Sequence, residues 1–251
     1  MGYLIDSHCH LQDREFFSEE QAEEMLVRAY NNGIRRIVCI GTDPEDSMVA
    51  RKFAAKHPGV FWTYGVHPEE WPKNHDLFSR DEKLVAIGEV GLDYHSDGYD
   101  RKAQIRLLEE MLQLAVDNDL PVSFHVRNAF DDFFPVVGNF PRVRGVVHSF
   151  TDSKKNLRKI LEGTDFYVGV NGLATYSTLP TPPLERILLE TDAPFLTPVP
   201  FRDIINESAY IKNIAEWLGG RLGEDFAVVQ RETTKNAEQL FRFADSFLCE
   251  A

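Results

Sequence analysis

The sequence predicts an α/β fold, a closed (β/α)8 TIM-like barrel with an abbreviated seventh crossover. Three observations carry this. The chain has 251 residues, near the usual length of such a barrel. A short β-rich apolar run, a polar or glycine-containing turn and a helical stretch recur eight times in order, and the strands are apolar on both faces, as buried parallel strands are. No glycine-rich phosphate loop follows the first strand, which disfavours a dinucleotide-binding open sheet.

Candidate strands are Leu4–Ser7, Arg36–Ile40, Val60–Gly65, Leu84–Gly88, Val122–Phe124, Gly145–Val147, Phe166–Val170 and Ile187–Leu189. Helical stretches between them include Gln21–Asn31, Met48–Lys56, Arg101–Asn118 and Lys154–Leu161. The third of these has apolar residues at helical period from Gln104 to Leu112, with Asp100 placed to cap it and Pro121 closing the turn to the next strand. Between the strand near Val170 and that near Leu189, Pro180, Pro182 and Pro183 leave little room for a helix, hence the shortened seventh crossover. No linker, low-complexity segment or further repeat interrupts the pattern, so residues 1–251 are read as one domain.

Hydrophobic residues are 43% and charged residues 27% of the chain, which excludes long disorder. No apolar run approaches the roughly 20 residues that span a bilayer. The stretch Met1–Asp6 lacks the layout of a signal peptide, which points to the cytoplasm. Cys9, Cys39 and Cys249 are scattered, without CxxC spacing, and suit a reducing compartment. The net charge of −13 argues against a broad basic nucleic-acid surface. It leaves open a nuclease, because bound cations supply local positive charge.

The chemistry is in the residues at which the strands stop. His8 and His10 run off the first strand, Glu89 the fourth, His125 the fifth, His148 the sixth and Asp192 the eighth. In a parallel barrel all strand C-termini open on one face, where active sites lie. His8 and His10 flank Cys9, and extended backbone would turn both imidazoles to the barrel mouth with Cys9 toward the helices. Taken singly, His-x-His is weak, Glu89 can face solvent and Asp192 can be a turn residue. Their joint placement makes the metal reading strong. Histidine nitrogens with carboxylate oxygens suit Zn, Mn, Ni or Fe(II), and less clearly Mg. Six such groups exceed one open catalytic site, so two divalent ions bridged by a carboxylate, roughly 3.5–4 Å apart, is the economical reading. Of the other histidines, His57 and His75 read as turn and solvated residues, His67 as a substrate or phosphate contact at the mouth, and His95 as a loop residue with either role.

Several stretches together resemble the TatD-type metal-dependent deoxyribonucleases of the amidohydrolase superfamily. They are Asp6–Leu11, Gly65–Pro68, Gly88–Tyr94, Pro121–Arg127, Val147–Phe150 and Leu189–Pro198. They cover nearly the whole chain in order. The resemblance implies one ion on His8, His10 and Asp192, a second on His125 and His148, and Glu89 between them. It implies hydrolysis of DNA phosphodiesters, including 3′-to-5′ trimming, with single-stranded DNA or strand ends as partner; the sequence shows no sign of a membrane or obligate protein partner. Arg202 and Asn206-Glu207 match a further family stretch near the site. The chain departs from the pattern at Ser149, Thr151-Asp152, Asp203-Ile204-Ile205 and Ser208, in loops that bear on substrate preference.

The expected mechanism has Asp192 accepting a proton from an attacking water, with Glu89 bridging. Arg127 and Arg202 would contact the phosphate with His67. Tyr94 would line the pocket, stack on a base, or simply pack its loop. Two rivals remain open: a metal-dependent hydrolase of small esters, amides or phosphoesters, and a non-catalytic metal-binding barrel.

Overall fold

A computed structural model of the chain describes residues 2–70 and 78–244; His75 and Cys249 lie outside these. Its eight strands are β1 (Leu4–Cys9), β2 (Ile34–Cys39), β3 (Val60–Tyr64), β4 (Leu84–Asp93), β5 (Val122–Arg127), β6 (Gly145–Val147), β7 (Tyr167–Val170) and β8 (Ile187–Leu189). Each pairs in parallel with the next in chain order, forming a nearly closed barrel. The seam between β8 and β1 is closed by individual bonds. The Ser7 hydroxyl donates to the Leu189 carbonyl at 2.9 Å. The Asp192 N–H donates to His8 O at 2.9 Å, and the His10 N–H to Ala193 O at 2.8 Å.

Parallel neighbours need long crossovers, and helices supply most of them: α1 (Glu19–Asn31), α2 (Pro44–Lys56), α3 (Arg101–Asn118), α4 (Phe130–Gly138) and α5 (Lys154–Gly163). Then α6 (Ile211–Leu222) and α7 (Phe226–Phe241) follow β8. Their starts are written in polar caps. Ser18 and Gln21 exchange bonds in a capping box, Asp43 accepts the Asp46 N–H ahead of Pro44, and Ser153 accepts the Asn156 N–H. Asp100 caps α3 as the sequence predicts. Each such cap contributes about 1 kcal/mol. The caps at Ser18 and Asp43 also begin α1 and α2 earlier than apolar periodicity indicates.

The eightfold β-then-α repeat is incomplete in two places. Among the described residues the β3–β4 connection contains only a 3-10 turn, Pro68–Glu70. The seventh crossover is reduced to the 3-10 turns Gly172–Thr175 and Leu184–Arg186, as its prolines predict. Among the described residues no helix is long and apolar enough to cross a membrane.

Alternate strand residues divide the core. Ile37, Cys39, Trp62, Ile87, Val122 and Phe124 pack outward with Leu26, Phe53, Leu108 and Phe133 of the helices. Ile5, Val38, Phe61, Val85, Val146 and Leu188 form a second cluster with Leu240, Phe241 and Phe243. The end of α7 thereby closes the barrel where the strands begin, leaving the opposite mouth for chemistry.

Two irregularities re-aim side chains at that mouth. On β1, Asp6 pairs with Ile37 and Cys9 with Cys39, so Ser7 and His8 together oppose Val38. On β4, Ile87 pairs with Val122 and Val90 with Phe124, so Gly88 and Glu89 oppose Ser123. A bulge of this kind turns a side chain that simple alternation would place elsewhere. Past it, β4 continues to Asp93 and β5 to Arg127, so Glu89 and His125 lie within their strands, not at the ends the apolar runs suggest. Glycine makes the crowded stretch possible. A Cβ on Gly65 would sit 2.2 Å from the Glu89 nitrogen, and one on Gly91 1.8 Å from the His125 carbonyl oxygen.

Gly91→Ala is therefore expected to destabilise the fold by about 2 kcal/mol or more, since backbone must move to admit the methyl group. Gly138→Ala, where a Cβ meets nothing within 4 Å, should stay within about 0.5–1 kcal/mol of wild type. Urea unfolding of both variants checks this, and equal midpoints would refute it.

Candidate metal centre

The six predicted ligand residues come together at the mouth. His8 sits in the β1 bulge, His10 just past it, Glu89 in the β4 bulge, His125 inside β5 and His148 directly after β6. Asp192 lies on the turn after β8 with φ 59°, a left-handed conformation that Asp tolerates better than most residues. One oxygen of Glu89 (Oε1) lies 2.8 Å from His125 Nδ1 and 2.9 Å from His148 Nε2. The other (Oε2) lies 3.5 Å from His8 Nε2. Asp192 Oδ1 is 3.5 Å from both His8 Nε2 and His10 Nε2. The His8 and His148 rings stack at 3.9 Å, inclined by 8°.

Burial raises the Glu89 carboxyl, but the charge of His148 and hydrogen bonds from His125, His148 and His8 outweigh it and hold Glu89 well below the ordinary carboxylate range. Burial and the neighbouring His148 lower His8. Its Nε2 is buried without a hydrogen-bond partner and faces carboxylate oxygens of Glu89 and Asp192. Imidazole nitrogens and carboxylate oxygens converging on one place are what a cation binds. Among the described residues, three groups have ligand atoms within 4.8 Å of one another: His8–His10–Glu89, His67–Glu89–His125 and His8–His148–Glu190.

His67 is thus closer to the centre than a substrate contact alone requires. Its Nε2 lies 3.9 Å from Glu89 Oε1 and its ring meets His125 edge-on at 4.5 Å. Burial lowers it to about 4. Arg127 lines the same cavity of about 740 Å³, alongside His10, Glu89, His148, Asp192 and the acidic Asp13, Asp46, Glu69 and Glu70. Tyr94 and Arg202 do not line it. The Tyr94 hydroxyl donates to Asp132 at 2.8 Å while its ring stacks on Tyr99, and the Arg202 guanidinium lies 3.7 Å over the Tyr176 ring. His57 ends α2 beside Glu23, and His95 is exposed.

Two carboxylates escaped the reading of the sequence. Asp93 Oδ2 lies 2.7 Å from His125 Nε2, so that ring is held between Glu89 and Asp93. Glu190 Oε1 lies 3.7 Å from His148 Nδ1 and accepts the Ser149 N–H at 2.6 Å, so His148 is held between Glu89 and Glu190. A Cβ on Gly169 would fall 2.2 Å from Glu190 Oε2; that glycine makes the space. A carboxylate behind a ligating imidazole fixes its orientation and raises its basicity. Asp93 had a signal, two residues from Gly91 and four from Glu89 on one strand. Glu190 had only its position after β8.

Asp93→Asn and Glu190→Gln are expected to weaken divalent-cation binding about 10- to 100-fold while the fold persists. Titration of metal-free protein by calorimetry checks this, and unchanged affinity in both would refute it. Burial lowers His125, but Asp93 and Glu89 raise it to about 9. Its ring therefore carries a proton below that pH, which a cation must displace. Affinity should rise as pH increases toward about 9, by about tenfold per pH unit where one proton is released. Binding heats in buffers of different ionisation enthalpy count that proton, and a pH-independent affinity would contradict it.

A family model described as TatD related DNase matches residues 5–242. An uncharacterized metal-dependent hydrolase of Bacillus subtilis, YabD, is 32% identical across 95% of this chain and 99% of its own length. The 3'-5' ssDNA/RNA exonuclease TatD of Citrobacter rodentium is 31% identical across 95% of this chain and 97% of its own. Among solved structures, the TatD homolog YJJV of Escherichia coli superimposes with a TM-score of 0.84 at 28% identity, covering 96% of this chain and 98% of that one. A TatD family hydrolase of Entamoeba histolytica, at 22% identity, shares the fold with a TM-score of 0.85, over 97% of this chain and 99% of that one. With the buried His and Glu groups at the barrel mouth, these likenesses settle one question: the chain belongs to the TatD family of metal-dependent hydrolases.

Proposed function

We propose that the protein hydrolyses DNA phosphodiester bonds at strand ends, in the 3′-to-5′ sense, using two divalent cations. The observation that carries this reading is the division of Glu89. One oxygen faces His125 and His148, the other faces His8 beside Asp192 and His10. His8, His10 and Asp192 would hold one cation and His125 and His148 the other, with Glu89 shared. The nitrogen-rich donor set suits Zn, Mn or Ni, with Mg a harder fit. Bound cations supply Lewis acidity, acidifying a water and neutralising phosphoryl oxygens.

The chain's own residues do the rest. Asp192 reaches the cavity and is placed to take the proton of the attacking water through a carboxylate oxygen. Buried Glu89 keeps the two halves of the centre in register. Arg127 supplies a permanent planar cation for a phosphate oxygen, and neutral His67 can donate one hydrogen bond. Tyr94 and Arg202, engaged by Asp132 and Tyr176, have no part in this reading. The acidic rim of Asp13, Asp46, Glu69 and Glu70 repels a polyanion, which favours threading of a strand end over broad contact with duplex. Free Cys9 and Cys39 suit the cytoplasm as the place of reaction.

Single-stranded DNA with added Mn or Mg should be shortened from its 3′ end, and chelation should abolish this until a divalent ion is restored. His125→Ala and Asp192→Asn should each cost about 10²- to 10⁴-fold in rate. Intact DNA alongside rapid turnover of a small ester or phosphoester would replace the nuclease with the small-substrate hydrolase. Activity indifferent to chelation would overturn both.

A further inference from the structure

Beside its polar groups, the cavity is lined by the apolar Phe195, Leu196 and Leu173. Phe195 follows Asp192 by three residues, and its backbone is fixed at both ends. Its N–H donates to the Asp192 carbonyl at 2.8 Å. Its carbonyl accepts the buried Asn206 side chain at 2.6 Å, and the same amide reaches the Thr191 carbonyl at 2.8 Å. The ring on this rigid frame is nevertheless 46% exposed. Phe16, 43% exposed, meets it edge-on at 5.2 Å and 82°. The His10 ring lies 6.4 Å away. Single exposed apolar side chains need no explanation. A half-exposed aromatic pair held beside a metal ligand, on a backbone clamped by a buried asparagine, is a different arrangement.

We propose that Phe195, buttressed by Phe16, is a stacking platform for the nucleobase next to the phosphodiester at the metal centre. This rests on the nuclease reading and names what that site recognises besides phosphate. A base is flat, apolar on its faces and tethered to the phosphate by one sugar, so a phosphate beside His10 brings its base within reach of the ring. Stacking is indifferent to base identity, since every base has a π face. The platform therefore selects for a base being present, and against bare phosphomonoesters and abasic ends. It also supplies attraction that the acidic rim does not.

Two single-stranded oligonucleotides test it, one natural and one abasic at the nucleotide flanking the cleaved bond. Binding is read by fluorescence anisotropy and cleavage by product analysis, both with metal-loaded protein. Phe195→Ala is expected to weaken binding of the natural strand about tenfold and of the abasic strand hardly at all. Phe195→Leu should lose as much, Phe195→Tyr should retain the wild-type ratio, and Phe16→Ala should lose about threefold. Val27→Ala, exposed on α1, should change nothing. Equal losses on both strands, or a Phe195→Leu protein as good as wild type, would overturn the platform. A wild-type protein that binds the strands with the expected ratio but leaves both intact would overturn the nuclease reading alone.

Discussion

One buried carboxylate organises the molecule. Glu89 is negatively charged inside a barrel, where an unpaired charge costs several kcal/mol, and it is tolerated because imidazoles approach it from three strands. The irregularities of β4 serve that encounter. The bulge at Gly88 turns Glu89 inward, Gly65 lets the neighbouring strand pass beside it, and Gly91 brings the His125 backbone close enough for its ring to reach. The outer carboxylates repeat the motif one step further out. Asp93 and Glu190 each hold the imidazole that Glu89 holds from the other side. The centre is therefore a chain of alternating acids and bases running from β4 through β5 and β6 to the end of β8.

The surroundings separate binding from catalysis by charge. Among the described residues, Arg127 is the one Arg or Lys side chain along a cavity otherwise rich in Asp and Glu. Permanent positive charge is thus placed two residues from His125. The apolar flank formed by Phe195 and the two leucines adds contact that salt does not screen, unlike charge on the rim. A mouth of this kind recognises a group by its position within the substrate more than by its overall charge.

The barrel was legible because periodicity reports burial. Apolar runs marked every strand, and prolines marked the missing seventh helix. The proposed ligands were legible because a histidine or carboxylate follows an apolar run at five of the eight strands. The bulges at Ser7-His8 and Gly88-Glu89 were not, since a bulge follows from how two strands register and either strand alone looks regular. For the same reason β4 and β5 seemed to stop at their ligands when they run on to Asp93 and Arg127. The absence of a helix among the described residues after β3 likewise had no proline signature. Glu190 was hidden because its meaning depends on Gly169 and His148, on other strands. Tyr94 and Arg202 drew attention by residue type, but their engagement by Asp132 and Tyr176 is a tertiary fact.

The seam of the barrel has a consequence for synthesis. The bonds that close it join Ser7, His8 and His10 to Leu189, Asp192 and Ala193, and those same residues flank or supply the proposed ligands. A chain emerging from the ribosome holds its first histidines from the start but cannot complete either the ring or the centre until Asp192 has been made. Any product that ends before Asp192 carries only part of the proposed donor set. Assembly order thereby withholds the complete set of proposed donors until all eight strands have been made.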